Sequence, residues 1–221
     1  MTITEQLFSK ATDLIKVQPE VTDPTGRYSM ADDGGVETDL GEFIYGLVRV
    51  LKPNNVLSTG VYTGISDMYI GQGLKDNGFG HLTAIEYEQT HLSRAERLWK
   101  VVGVHEQITG ILKSSLEFNP PFGSSYDFMF LDSEPQIRYE EVERFFPFLN
   151  QGGFLGIHDC PRNMTQGNIN PDHPDFPSWP FGNIPPKMLE WMKSGKMVKF
   201  HIPNPRGSVW FYKPTESDFI A

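Results

Sequence analysis

Apolar positions change period along the chain in a way that predicts alternating helices and strands. Ile3, Leu7, Phe8, Ala11, Leu14 and Ile15 recur at helical spacing, and Thr2 and Glu5 have the spacing of a capping box, so a helix is predicted at the start. The stretch 21–35, VTDPTGRYSMADDGG, is dense in turn residues and reads as a loop. A second helix opens at Asp39 with Leu40, Phe43, Ile44, Leu47, Val48 and Leu51 on one face, and Pro53 closes it. Then strand and helix alternate: NVLST (55–59) is a strand, a helix follows from about Ser66 to Lys75, HLTAIE (81–86) is a strand and 89–102 a helix. QITGIL (107–112) is a less regular strand. YDFMFLD (126–132) and FLGIHD (154–159) are near-continuous apolar runs that each end in an acid, as buried parallel strands do, with an amphipathic helix over 137–149 between them.

After Asp159 the periodicity stops. Residues 160–186 are Pro- and Asn-rich with no periodic element, a length that in a compact domain means a lid or binding loop, or else disorder. A short helix over 186–195 and two β-rich runs around NPRG, a hairpin signal, finish the chain. The pattern predicts an α/β fold, with a mostly parallel sheet, helices on both faces and a C-terminal antiparallel hairpin. At roughly 150 residues per domain, the 221 residues are read as one domain. Its parts are N-terminal helices (1–52), a core (53–159), the Pro-rich loop (160–186) and a C-terminal helix and hairpin (187–221).

Composition narrows the partners. Nineteen basic against 28 acidic residues leave a net charge of −9, which argues against a nucleic-acid backbone or an anionic membrane as main partner. The single cysteine, Cys160, excludes an intramolecular disulfide framework and a Cys-rich zinc site. The polar, amphipathic N-terminus has no signal-peptide core, and no apolar run approaches the roughly 20 residues of a membrane span, so a cytoplasmic protein is expected. Seven of the 17 prolines fall between Pro161 and Pro186, which concentrates the compositional oddity in one loop.

Three features carry chemistry. The turn after the first core strand contains Gly60 and Gly64, which let backbone approach a ligand at the N-terminus of the next helix; a plain strand–helix turn would look the same. Glu86, ending the second core strand, can accept both hydroxyls of a ribose or stand as a solvated strand-end acid. Asp132 and Asp159 each end a buried strand, at the edge where open α/β sheets bind ligands. There they can hold a divalent metal or a cationic ligand, act as base, or cap a helix.

These residues sit in motifs that resemble those of a known family. GVYTGIS resembles the GxYxGxS turn of the catechol-type small-molecule O-methyltransferases, which use S-adenosylmethionine. DLGEFIYGLVRVLKPNNVL, LTAIEYE, YDFMFLDSEPQIRY and LNQGGFLGIHDC resemble the family's further segments in order, over roughly residues 36–160. The resemblance implies a Rossmann-like seven-stranded methyltransferase sheet and in-line methyl transfer to a small-molecule acceptor, most simply at oxygen. It also implies that Gly60, Tyr62 and Ser66 surround the cofactor's methionine part, Glu86 takes the ribose, and Ser114 and Ser115 lie at the adenine edge. Asp132 matches an acid near the methionine end and the metal, and Asp159 the second metal acid, with Mg²⁺ the ion to expect. The departures are equally specific. Ser58 replaces the acid that opens the glycine motif, Pro135 stands at the catalytic lysine, Ser133 and Glu134 replace His-Trp, and Cys160 replaces the metal-binding asparagine. A thiol at a ligand position weakens the magnesium reading.

His158, Asp159 and Asp132 are therefore the candidates for catalysis, His158 having the more suitable intrinsic pKa. Alternation along FLGIHD sends His158 and Asp159 to opposite faces, so at most one of them is expected in the site, and a packed strand histidine is the plainer reading of His158. In the Pro-rich loop His173 can reach a substrate or be solvated. Phe176, Trp179 and Phe181 can cover a flat acceptor, anchor the loop or pair subunits into a homodimer. Two other classes compete with a methyltransferase. An NAD(P)-dependent oxidoreductase shares the turn and the strand-end acid but would carry G-x-G-x-x-G, and a catalytically inactive binding module is kept open by Ser58 and Pro135.

Overall fold

The computed structural model describes the chain apart from residues 21, 22, 24, 33, 34, 161–184, 203, 204, 220 and 221. The Pro-rich loop, with His173, Phe176, Trp179 and Phe181, lies outside the described residues. The chain packs as two compact units, Met1–Phe118 and Asn119–Ala221, a division that falls inside the stretch read above as the core.

In the first unit, α1 (Ile3–Phe8) opens on the expected capping box. The Thr2 hydroxyl accepts from Glu5 N at 3.1 Å, and the Glu5 carboxylate accepts from Thr2 N at 2.8 Å. The helix is shorter than its apolar period. It stops at Ser9, whose hydroxyl donates to the Gln6 carbonyl at 3.0 Å, and successive turns carry Ala11 and Ile15 into the core instead. A two-stranded antiparallel ribbon follows, β1 (Val17–Pro19) with β2 (Ser29–Ala31). Three residues per strand are too few to show a period, so the ribbon is absent from the sequence-based prediction.

Helix α2 (Thr38–Leu51) begins one residue before the predicted start and ends at Lys52, which takes a left-handed conformation just ahead of Pro53. Then come β3 (Asn55–Thr59), α3 (Ile65–Asn77), β4 (His81–Glu86), α4 (Gln89–Val102) and β5 (Ile108–Leu112), with β3, β4 and β5 paired in parallel. Val56, Leu57, Leu82 and Ala84 are fully buried, as strands covered on both faces require.

The second unit contains β6 (Tyr126–Leu131), α5 (Arg138–Phe145), a short 3₁₀ turn, β7 (Leu149–His158), α6 (Pro186–Lys193), β8 (Val198–Ile202) and β9 (Ser208–Tyr212). β6 and β7 run parallel, and β9 pairs antiparallel with both β7 and β8, which is the expected hairpin. Along the mostly parallel seven-stranded sheet the order is β5-β4-β3-β6-β7-β9-β8, the architecture implied by the family resemblance. Among the described residues no helix is long and apolar enough to cross a membrane.

Trp210, fully buried in β9, holds the hairpin down. Its ring stacks over Phe128 at 6.2 Å between centroids, lies 6.0 Å from Phe130, and its Nε1 donates to Ser208 Oγ at 2.9 Å. Truncating such an aromatic costs about 3–5 kcal/mol. Trp210→Ala is therefore expected to lower the unfolding free energy from urea titration by that amount, and a change within about 0.5 kcal/mol, the scatter of surface sites, would disprove its anchoring role.

Candidate functional site

The chemistry-bearing residues gather in two clusters, one in each unit. In the first unit the chain leaves β3 through Gly60, Val61, Tyr62, Thr63 and Gly64 and enters α3. Gly60, Tyr62 and Gly64 all have positive φ, at 72°, 49° and 78°. Glycine adopts this conformation freely, but a residue with a bulky side chain holds it only where its surroundings compel it. At Tyr62 the compulsion comes from Glu86. Tyr62 N donates to Glu86 Oε2 at 2.9 Å, while Gly60 N donates to the Ile85 carbonyl at 3.1 Å. The other carboxylate oxygen, Oε1, accepts from Glu88 N at 2.9 Å and lies 3.9 Å from His91 Nδ1. The His91 ring packs edge-on against Tyr62 at 4.8 Å. Gly64 has a second role. A Cβ there would come within 2.7 Å of Ala95 Cβ and Trp99 Nε1, and its carbonyl accepts from that indole nitrogen at 3.0 Å. The G-x-x-x-G spacing thus serves two separate needs, a left-handed turn and close helix packing.

The predicted cofactor residues Gly60, Tyr62 and Glu86 therefore meet at the carboxyl ends of β3 and β4. The backbone brings Ser114 and Ser115 to the same place, since Lys113 N donates to the Glu86 carbonyl at 2.8 Å. Ser115 is buried, Ser114 half-buried, and Ser66 lies in the buried first turn of α3. Ser58 is buried as well, and its hydroxyl donates to Asp67 Oδ1 at 2.6 Å. Asp67 stands in the first turn of α3 and is fully buried against Ser58. GVYTGISD shows Asp67, but only the packing shows that it reaches Ser58.

In the second unit Asp132 directly follows β6, and His158 and Asp159 end β7. His158 Nδ1 lies 3.2 Å from Asp132 Oδ2 and 3.7 Å from Asp159 Oδ1. The expectation that strand alternation separates His158 from Asp159 is therefore corrected. Asp159 has a φ of 54°, and leaving extended geometry turns its side chain back beside its neighbour's. His158 is fully buried, whereas the side chains of Asp132 and Asp159 keep 16% and 15% of their surface in solvent.

The residue that organises this cluster, Arg138 on α5, is one the sequence reading passes over. Its side chain is 2% exposed, and Nη2 lies 2.9 Å from Asp132 Oδ1 and 3.2 Å from Asp159 Oδ2. Its Nε and Nη2 also donate to the Ser133 carbonyl at 2.8 and 2.5 Å, and Nη1 donates to the His158 carbonyl. Arg206, from the β8–β9 connection, places Nε 2.6 Å from Asp159 Oδ1. A sequence signal for Arg138 exists: it occupies the i position of an i, i+4, i+7 stripe with buried Val142 and Phe145. Arg206 has none, because it sits in a turn. Pro135, where the family's lysine would be, belongs to the turn that leads into α5, in which Ile137 N donates to the Glu134 carbonyl at 3.1 Å.

The electrostatics follow from these contacts. Burial alone would raise the Asp159 pKa, but His158, Arg138 and Arg206 outweigh it and hold the carboxyl well below the ordinary carboxylate range. Burial likewise disfavours charge on Arg138, and Asp132 and Asp159 more than restore it. Cys160 is fully buried, its thiol donates to the His158 carbonyl at 3.4 Å, and burial pushes its pKa well above the usual thiol range.

By distance, ligand atoms of Asp132, His158 and Asp159 lie within 4.8 Å of one another, close enough to converge on a metal. The surroundings do not fit a hard cation. Both carboxylates already face guanidinium groups, and the neighbouring position offers a protonated thiol rather than an oxygen.

Comparison with known proteins finds similarity to methyltransferases. Residues 57–160 match a family model described as a methyltransferase domain. Tapetum-specific methyltransferase 1 of Arabidopsis thaliana is 24% identical over 154 residues, covering 68% of this chain and 64% of that protein. Caffeoyl-CoA O-methyltransferase of Stellaria longipes is 22% identical over 142 residues, covering 62% and 58%. The match thus spans somewhat under two thirds of these relatives' length. Among solved structures, the O-methyltransferase TomG of Streptomyces achromogenes, involved in tomaymycin synthesis and solved with S-adenosylmethionine, superposes with a TM-score of 0.65 at 18% identity over 82% of each chain.

Asp159 contributes stability through a depressed pKa, so its contribution is complete above the unfolded-state value of about 4 and declines as pH falls below it. Asp159→Asn is expected to cost about 3 kcal/mol at neutral pH, the scale for breaking a buried ion pair. Denaturant unfolding at pH 7 and pH 3 checks this: the gap between wild type and variant should shrink at the lower pH, and a gap that is constant or wider there contradicts the assignment.

The matched segment, somewhat under half of the chain, is similar to a methyltransferase domain, and the strand order is that of the methyltransferase fold.

Proposed function

We propose that the protein transfers a methyl group from S-adenosylmethionine to an oxygen of a small-molecule acceptor. The observation that carries this reading is the turn locked onto Glu86. Three left-handed residues and a carboxylate with defined backbone partners form a preorganised nucleoside cradle at the ends of two parallel strands. Glu86 accepts two backbone N–H bonds, and a carboxylate has about four lone-pair positions, so it can still accept from ribose hydroxyls. Ser66 and the first turn of α3 suit the cofactor's carboxylate, because helix N-termini favour anions. Asp67, fully buried, accepts from Ser58 and so braces the end of β3 against α3 beneath the cradle. Ser114 and Ser115 border the adenine.

When bound, the cofactor supplies a methyl group on a sulfonium centre. What the protein adds is alignment, worth roughly 7–11 kcal/mol of the barrier for well-oriented reactants, and an acceptor for the hydroxyl proton. Among the three predicted catalytic residues, Asp132 suits that task best. It is accessible and faces one guanidinium group, whereas Asp159 faces two and His158 is fully buried. Asp159 and His158 then position Asp132 rather than touch the acceptor. The net charge of −9 favours a small-molecule acceptor over nucleic acid, and the protein is read as cytoplasmic. The oxidoreductase alternative is not favoured, because its glycine fingerprint is missing and the solved neighbours are methyltransferases.

Isothermal titration with S-adenosylhomocysteine and with NAD(H) tests the reading. Binding of the former alone is expected, and NAD(H) binding in its place would reverse the assignment. Glu86→Gln keeps the shape but loses the charge, and is expected to weaken S-adenosylhomocysteine by about tenfold or more, the scale of a charge-assisted hydrogen bond. An unchanged affinity would remove Glu86 from the ribose.

A further inference from the structure

The cluster in the second unit holds a cation of its own. Two carboxylates and an imidazole that could converge on a divalent ion instead converge on a guanidinium. Arg138 places Nη2 2.9 Å from Asp132 and 3.2 Å from Asp159, with a side chain 2% exposed, so the charge is built into the interior and does not exchange with solvent. It is fixed from every side that could let it swing away: the carbonyls of Ser133 and His158 accept its remaining donors. Arg206 adds a second guanidinium on the far oxygen of Asp159. Two carboxylates against two guanidinium groups leave no surplus negative charge to repay dehydration of a divalent ion, and adding one would bring a double positive charge against Arg138.

We propose that Arg138 is a positioning residue that stands as the resident cation of the Asp132–Asp159 pair, in the place where a metal-dependent relative would hold a divalent ion, and that methyl transfer by this protein is independent of divalent metal. This rests on the methyltransferase reading above, and it assigns that site its charge. Arg138 sets the orientation of both carboxylates, leaving the exposed edge of Asp132 toward solvent. A guanidinium is also directional where a metal ion is not: it fixes the plane in which each carboxylate lies.

The test is Mn²⁺ titration followed by electron paramagnetic resonance, on the full chain as wild type and as Arg138→Gln, with S-adenosylhomocysteine affinity measured on both by calorimetry. The wild type is expected to leave the free-Mn²⁺ signal unattenuated at millimolar ion. Arg138→Gln is expected to gain a stoichiometric Mn²⁺ site that the added change Asp159→Asn removes. Stoichiometric Mn²⁺ binding by the wild type overturns the proposal, and so does a folded Arg138→Gln that takes up no Mn²⁺. If Arg138→Gln does not fold, Arg138→Lys replaces it. Lysine retains the charge, so exclusion of Mn²⁺ with partial recovery of the melting temperature supports the assignment, and Mn²⁺ uptake by that variant refutes it. The calorimetric arm keeps the two readings apart. Loss of S-adenosylhomocysteine binding in the wild type would strike at the methyltransferase reading, whereas Mn²⁺ uptake with intact cofactor affinity strikes only at the role of Arg138.

Discussion

A buried guanidinium has to be neutralised where it sits, and much of the second unit is arranged around that requirement. An arginine cannot shed its proton to escape burial, so the chain must bring carboxylates to it. Asp132 comes from the end of β6 and Asp159 from the end of β7, and the carbonyls of Ser133 and His158 complete the shell. Helix α5, which presents Arg138, is thereby tied to two parallel strands by charge as well as by its apolar stripe of Val142 and Phe145. Breaking such a set by removing one partner costs more than the set contributes as a whole, because the survivor is left charged and dry. The cluster therefore secures one geometry more than it secures net stability.

The first unit meets a similar need with different chemistry. There a carboxylate is the fixed group, and its partners are backbone amides rather than side-chain cations. Backbone donors occupy one position, set by the turn, so Glu86 and the left-handed Tyr62 define each other. The pair Ser58 and Asp67 adds a buried contact beside the same turn. The Ser58 hydroxyl at the end of β3 donates to the fully buried Asp67 of α3 at 2.6 Å, tying strand to helix.

Much of this was legible in the sequence, and the gaps have physical causes. Strands β3 and β4 and helix α4 match their predicted spans, because residues 55–102 carry clear periods punctuated by glycines. Glu86 was legible as a strand-end acid, but its bond to Tyr62 N was not, since backbone donors leave no residue-type signature. His158 and Asp159 were placed on opposite faces by a rule that holds only while the chain stays extended, and a φ of 54° at Asp159 ends its jurisdiction. Arg138 was missed because a charged residue on an amphipathic helix is read as solvated, although its partners were already recognised as costly strand-end acids. Arg206 depends on a pairing between β7 and β9 that no local pattern encodes.

The single cysteine has a practical side. Cys160 is fully enclosed, and its thiol is held protonated by burial, so in the folded chain it offers neither an accessible sulfur nor a thiolate to an alkylating reagent. The native protein is therefore a silent background for thiol chemistry. A cysteine introduced on the surface can carry a spin label or fluorophore without first removing Cys160, and alkylation of Cys160 itself becomes a clock for opening of the strand end on which the acid cluster stands.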